Sequence, residues 1–271
     1  MLKKLKVEKP TTLKEFLAEQ LSVSKGKAKK IIDSKVVLVN GKRVWIASHK
    51  LKSGDVVEVP QQQEKENKNV EVIYEDEYIL AVNKPPFLVS DREKNSVEGI
   101  LRKTFDKNIK AIHRLDMETS GVLLFAKNLD VFETFKKNWD SIVKEKEYLA
   151  ISHNRSTFKE KNVDIPIDNK SAMSYVKTLR TSPKFTKFLV KPKTGRKHQI
   201  RIHLSKIGHP IVGDKLYGYK TLNDPVIKTV SRHMLHSRKI SFFHPLLKKE
   251  ISISAPVPDD FKLLEKKLNL S

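Results

Sequence analysis

His113-Arg114-Leu115-Asp116-Met117-Glu118-Thr119-Ser120-Gly121 sets a histidine, an arginine and an acid within four residues, then runs into the apolar segment Val122-Leu123-Leu124-Phe125-Ala126. Two readings fit. In one, Asp116 is a reactive carboxylate on a turn that leads into a buried element. In the other it is a cap or turn former, the ordinary role of an aspartate before Thr-Ser-Gly. His113 and Arg114 are out of place on a merely structural turn in so apolar a neighbourhood, and they keep the first reading open.

A second stretch bears on the choice. In His198-Gln199-Ile200-Arg201-Ile202-His203-Leu204 the apolar residues alternate with polar ones, which predicts a strand. Ile200, Ile202 and Leu204 would share one face, and Gln199, Arg201 and His203 the other. Arg201 then offers a permanently charged partner able to hold and aim a sheltered carboxylate such as Asp116. A carboxylate so held can act as nucleophile or base. The basic turn Thr194-Gly195-Arg196-Lys197 could meet phosphate through Arg196. His198 and His203 lie five residues apart, on opposite faces of a strand, and no cysteine accompanies them, so no metal site is expected.

Outward from these stretches the chain divides. Residues 11–60 form a compact α/β module: Leu13, Phe16, Leu17 and Leu21 mark one face of a helix, and Ser24 caps a second from Lys25 to Asp33. A strand at Val36–Val39, the turn Asn40-Gly41 and the returning Lys42-Arg43-Val44-Trp45 make a hairpin. Lys25, Lys27, Lys29, Lys30 and Arg43 give this module a cationic surface. Residues 61–69 contain no apolar residue and read as a linker. From Val70 to Ser271, short strands outnumber helices, which predicts an α+β domain: a mixed, mainly antiparallel sheet with flanking helices.

Charge and composition narrow the partner. Of 271 residues, 54 are Lys or Arg and 32 Asp or Glu, a formal net charge of +22 that attracts polyanions. With no cysteine, disulfides and thiolate chemistry are excluded, and a reducing compartment is the natural expectation. No apolar run of about 18 residues exists, so no membrane partner is expected and the reading is cytoplasmic.

The opening nonapeptide resembles the central motif of the RluA-type RNA pseudouridine synthases. Thr194–His203 with Gly208-His-Pro-Ile-Val-Gly-Asp-Lys-Leu-Tyr-Gly218 is similar to their late motif, and Ile73–Pro85 to their first. Leu235-His236, Phe243-His244-Pro245 and Ala255-Pro256-Val257-Pro258 match the family's C-terminal end. The order of residues 11–60, with Val-Asn-Gly-Lys and Gly-Asp-Val-Val-Glu-Val, resembles the S-four-type RNA-binding domain found in many members. One departure stands out. After Lys84-Pro85 the family has a small residue, a glycine and later a histidine, where this chain has Pro86-Phe87-Leu88-Val89-Ser90-Asp91.

The resemblance implies the pseudouridine synthase fold over residues 70–271 and isomerisation of uridine to pseudouridine in structured RNA, with large-subunit ribosomal RNA or an assembly intermediate as partner. It implies Asp116 as the catalytic aspartate, Arg201 as its ion-pair partner, and Tyr148 as a stacking residue that helps proton transfer. Arg114, with His113 beside it, would enter the RNA where the uridine is extruded, and Ile200 would line the base pocket. The reaction breaks the glycosidic N–C bond and rejoins uracil through C5 without redox change, so no cofactor and no metal are implied. A monomer is expected. The competing readings are a non-catalytic RNA-binding or ribosome-assembly protein and an RNA hydrolase using Asp116.

Overall fold

The computed structural model describes residues 2–21, 23–33, 36–60, 70–91, 93, 95–219 and 224–271. They fall into two compact units, Met1–Asn69 and Val70–Ser271. The linker reading of 61–69 lies outside the described residues, as does the side chain of Lys30.

The first unit runs β1 (Leu2–Lys6), β2 (Thr11–Thr12), α1 (Leu13–Gln20), α2 (Lys25–Asp33), β3 (Leu38–Val39), β4 (Lys42–Arg43), β5 (Lys50–Leu51) and β6 (Val56–Pro60). Thr12 caps α1 by accepting the Glu15 N–H, and Ser24 accepts the Lys27 N–H at the start of α2. Leu13, Phe16 and Leu17 of α1 and Ala28 and Ile32 of α2 pack with Val39, Val57 and Val59 in one apolar cluster. The sheet order is β1-β6-β3-β4. β1 lies upstream of the 11–60 module marked by periodicity, and its antiparallel register from Leu2↔Pro60 to Lys6↔Val56 carries this unit to the N-terminal end of the chain.

The second unit runs β7 (Glu71–Glu75), β8 (Ile79–Lys84), α3 (Val97–Thr104), β9 (Lys110–Ala111), β10 (Ser120–Ala126), α4 (Leu129–Ile142), β11 (Val143–His153) and β12 (Glu160–Asp164). There follow β13 (Met173–Thr181), β14 (Phe185–Pro192), α5 (Gln199–Lys206), α6 (Pro225–Lys228), β15 (Leu235–His244), β16 (Lys249–Ser254) and α7 (Asp259–Lys267). The main path of the ten-stranded sheet is β12-β13-β14-β11-β15-β10-β8-β7, with β16 on β15 and β9 on β10. Among the described pairings β10–β15 is parallel and the rest are antiparallel, so the mixed, mainly antiparallel α+β reading holds.

Two central strands explain why the sheet is covered on both sides. On β8 and β10, Ile79, Ala81, Val122, Leu124 and Ala126 face one way and pack with Val131, Phe132 and Phe135 of α4. Leu80, Val82, Leu123 and Phe125 face the other and pack with Val97 and Leu101 of α3. The period-two pattern of a strand thus feeds two apolar layers, and every residue of β10 is buried. Helix starts are fixed by Ser96 for α3 and Asn128 for α4, whose side chains accept N–H groups of the first turn.

Residues 199–206 correct the strand expectation: they form helix α5, ending at Gly208 (φ +83°). The alternation misleads because both polar and apolar faces of this helix are buried, the polar face against specific partners. Gln199 meets Thr194, Arg196, Met173 and Ser174, and His203 meets Ser174 and the Ile165 carbonyl. Buried polar side chains with partners look, in sequence, like a solvated strand face.

Candidate active site

Asp116 stands in the loop between β9 and β10. Its backbone carbonyl accepts the Thr119 N–H at 3.0 Å, which makes the turn and leaves the carboxylate uncommitted to capping. β10 then leaves the turn through Gly121, whose φ of +112° excludes most side chains, and a Cβ there would collide with the Ser237 carbonyl oxygen. That close approach carries the parallel register Ser120↔His236 and Gly121↔Ser237. Ser237 also pairs across β11 with Tyr148, just after a register shift between Glu147 and Tyr148. Such an irregularity re-aims a side chain at a sheet end. The turn of Asp116 and the ring of Tyr148 are therefore brought together by one strand, β15.

Helix α5 delivers the charge. Arg201, 6% exposed, donates from Nη1 to Asp116 Oδ2 at 2.9 Å. Its Nε and Nη2 grip Asp214 bidentately, at 2.7 Å to Oδ2 and 2.9 Å to Oδ1. Asp214 also accepts the N–H groups of Leu216 and Tyr217. Burial alone would raise the Asp214 carboxyl, but the Arg201 hydrogen bonds and charge outweigh it and hold it below the usual range. Burial works against the Arg201 charge too, and the two carboxylates more than offset that, pushing its pKa up. One guanidinium thus serves two acids, one sealed and one part-open. Asp116 keeps 28% of its side chain exposed, with Oδ1 at 3.7 Å from His198 Nε2.

The other residues singled out by sequence distribute as follows. Tyr148 is half-buried, and its phenol is pushed up to about 12, by burial first, with the Asp116 charge adding and a hydrogen bond with Ser237 opposing. It is a neutral phenol at working pH. Ile200 is buried in the apolar cluster against which Tyr148 packs. Arg114 is exposed, with Nε at 2.9 Å from Asp91 Oδ1. His113 turns into the protein: its Nε2 accepts the Leu124 N–H at 3.2 Å and its ring lies 5.3 Å from Trp139. Burial, then the charge of Lys146, lower its pKa to about 3, so it is a neutral acceptor. Arg196 is exposed and donates to the Ser171 carbonyl. Lys25, Lys27 and Lys29 are exposed along α2, as is Arg43 on β4. Among the described residues no group of three or more metal-ligating side chains gathers.

Several residues of the site are not singled out by the sequence reading. Lys84, fully buried, donates to the carbonyls of Pro85, Leu88 and Met117 at 3.0, 2.8 and 3.0 Å. It ties the departing segment 84–91 to the Asp116 loop, as do Ser90, bonded to both backbone groups of Leu115, and Phe87, whose N–H reaches the Met117 carbonyl. Phe87 takes a φ of +64°, in the left-handed region that a bulky side chain rarely adopts. Arg232, also fully buried, clasps Asp260 of α7 and reaches the Glu118 carbonyl at 3.1 Å. His233 bonds Thr119 at 2.8 Å. The one hint available for them is charge inside apolar runs, as in Val82-Asn83-Lys84-Pro85 and Arg232-His233-Met234-Leu235.

Comparison with known proteins gives the following. The family described as "RNA pseudouridylate synthase" matches residues 78–206, and the family described as "S4 domain" matches residues 12–57. A Bacillus subtilis protein called "Uncharacterized RNA pseudouridine synthase YjbO" is 31% identical, over 94% of this chain and 98% of that one. A "Ribosomal large subunit pseudouridine synthase C" of Buchnera aphidicola is 32% identical, over 88% and 87%. Among solved structures, "Human RNA Pseudouridylate Synthase Domain Containing 4" superposes with a TM-score of 0.62 at 22% identity, covering 73% of this chain and 93% of that one, a likeness of fold.

Proposed function

The chain belongs to the RNA pseudouridine synthase family, enzymes that isomerise uridine in RNA, and from that premise we propose that Asp116 is its catalytic carboxylate. The observation that carries this is the relay Asp214–Arg201–Asp116. A sealed bidentate pair fixes the guanidinium, and an N–H of its Nη1 pins one oxygen of a part-exposed acid. Pre-placed charge of this kind costs no reorganisation when the reaction occurs.

In this reading the target uridine is flipped out of its stack at a cost of a few kcal/mol. The Tyr148 ring lies under the extruded base, and the Arg114 guanidinium fills the gap, offsetting part of that cost. Asp116 Oδ1, the oxygen that Arg201 does not hold, acts at the sugar or the ring while the N1–C1′ bond breaks. Uracil turns, the C5–C1′ bond forms, the proton on C5 leaves and N1 takes one up. Ile200 borders the base. The module of residues 11–60, by Lys25, Lys27, Lys29, Lys30 and Arg43, holds flanking RNA phosphates.

The finer assignments are large-subunit ribosomal RNA as substrate, action as a monomer and a place in the cytoplasm. The Buchnera relative's name supports the first of these, and among the described residues no helix is long and apolar enough to cross a membrane. The test is Asp116→Asn. RNA affinity and thermal unfolding stay at wild-type values, and carbodiimide primer-extension mapping shows a rate loss of at least about 10³-fold. Pseudouridine formed at the wild-type rate by that variant sinks the assignment. Mapping large-subunit RNA from cells with and without the gene identifies the position, and an unchanged map there excludes that substrate.

A further inference from the structure

The catalytic scheme above gives His198 no task. Its backbone is nevertheless held in the left-handed region at φ 55°, directly before α5, and its side chain makes no capping bond to that helix. Histidine is among the residues that tolerate this conformation, and its ring, not spent on the helix end, is turned to Tyr217 and Asp116.

We propose that His198 is a positioning residue for Asp116, its Nε2 supporting Oδ1 while the Tyr217 hydroxyl fixes which ring nitrogen carries the proton. This rests on Asp116 being the catalytic carboxylate. The geometry closes a circuit. Nδ1 lies 3.1 Å from the Tyr217 hydroxyl, and Nε2 lies 3.7 Å from Asp116 Oδ1. The Tyr217 ring sits 5.2 Å under the Arg201 guanidinium and edge-on to His198, at 5.7 Å and 68°. Tyr217 is itself fixed, its N–H donating to Asp214 Oδ1 and its carbonyl accepting the Ser205 hydroxyl. Each oxygen of Asp116 then has its own neighbour: a fixed cation at Oδ2 and an imidazole at Oδ1.

The imidazole is the neutral form at working pH. Burial lowers its pKa below the usual value, Arg201 and Lys197 lower it further, and Asp116 and Asp214 do not restore it. Among the described residues, these four charges and the Tyr217 hydroxyl are the groups that act on it most strongly. In this proposal Tyr217 donates to Nδ1, which leaves the single proton on Nε2, aimed at Oδ1. The 3.7 Å gap exceeds a hydrogen bond in the free protein, and catalytic hydrogen bonds of this kind tighten when substrate is bound.

The experiment uses the whole chain in steady-state reactions on a uridine-bearing RNA stem-loop. His198→Ala is expected to lower kcat by about 10- to 100-fold with KM within about twofold of wild type. His198→Gln, which keeps a donor, is expected to recover most of the rate, and Tyr217→Phe to show a partial kcat loss at unchanged KM. Wild-type kcat in His198→Ala, or a His198→Gln no more active than His198→Ala, overturns the proposal. Should that variant not fold, wild-type kcat in Tyr217→Phe overturns it instead. Asp116→Asn, run beside them, separates the two levels: activity there removes the underlying catalytic assignment, whereas an inactive Asp116→Asn with unaffected His198 and Tyr217 variants removes this inference alone.

Discussion

At the scale of single residues, Arg201 is shared unequally between two acids. Asp214, with a side chain of zero exposure, takes two of its N–H groups, and Asp116 takes one. Removing one partner of a buried pair strands the other charge, typically at a cost of about 3–5 kcal/mol. Asp214→Ala is therefore expected to lose about that much stability in urea unfolding, together with activity, because Arg201 is no longer aimed. The sign of the pH effect follows from the lowered Asp214 carboxyl. Its stabilisation is present above the unfolded value of about 3.9 and is lost as pH falls through the folded value. The difference between wild type and variant should shrink on acidification below about pH 4, and a constant difference down to about pH 2 would refute this. Asp116 and Arg201 can be singled out from sequence because their chemistry is local: an acid beside His and Arg, and a permanent cation. Asp214 cannot, since Gly213-Asp214-Lys215 reads as a surface turn until Arg201 is folded against it.

At the scale of elements, periodicity serves where one face of an element is apolar and the other wet or apolar in turn. Helix α4 and strands β7 and β8 have that form. It fails at α5, whose polar residues are buried with partners, and it gives no sign of β12, whose exposed Glu160, Lys161 and Asn162 leave Val163 as a lone buried residue. The long pair β15–β16 is visible in sequence only as matching motifs at its ends. The placement of β15 between β11 and β10 brings Tyr148 beside the Asp116 turn, and such a crossing depends on pairings far apart in sequence. Gly121 is where that crossing is tightest. Gly121→Ala would press a methyl against the Ser237 carbonyl in a backbone conformation that disfavours alanine. A loss on the order of 3 kcal/mol is expected, combining overpacking and backbone strain. A wild-type urea midpoint for the alanine variant would show that β10 and β15 can part without cost.

At the scale of the whole molecule, charge is divided between the two units. Residues 1–60 hold fourteen Lys and Arg against six Asp and Glu, which leaves +14 of the +22 on the rest of the chain. Exposed Lys25, Lys27, Lys29 and Arg43 sit on the smaller unit, so both units are expected to meet the RNA backbone. Each phosphate neutralised releases condensed counterions, and the logarithm of affinity falls with the logarithm of salt by about 0.7–0.9 per phosphate. Deleting residues 1–69 should weaken binding to a structured ribosomal RNA fragment and make the salt slope shallower by that amount for every phosphate the small unit neutralises. The slope should not vanish, because the remaining unit keeps its excess of cations. Titrations of the full chain and the truncated chain from about 50 to 200 mM salt measure both slopes, the range over which several phosphate contacts change affinity by orders of magnitude. Equal slopes would show that the small unit grips RNA without its lysines, or does not grip it. A truncated chain that still isomerises a short single-stranded uridine substrate, yet fails on the structured fragment, would place the contribution of residues 1–69 in substrate capture and that of Asp116 in the chemistry.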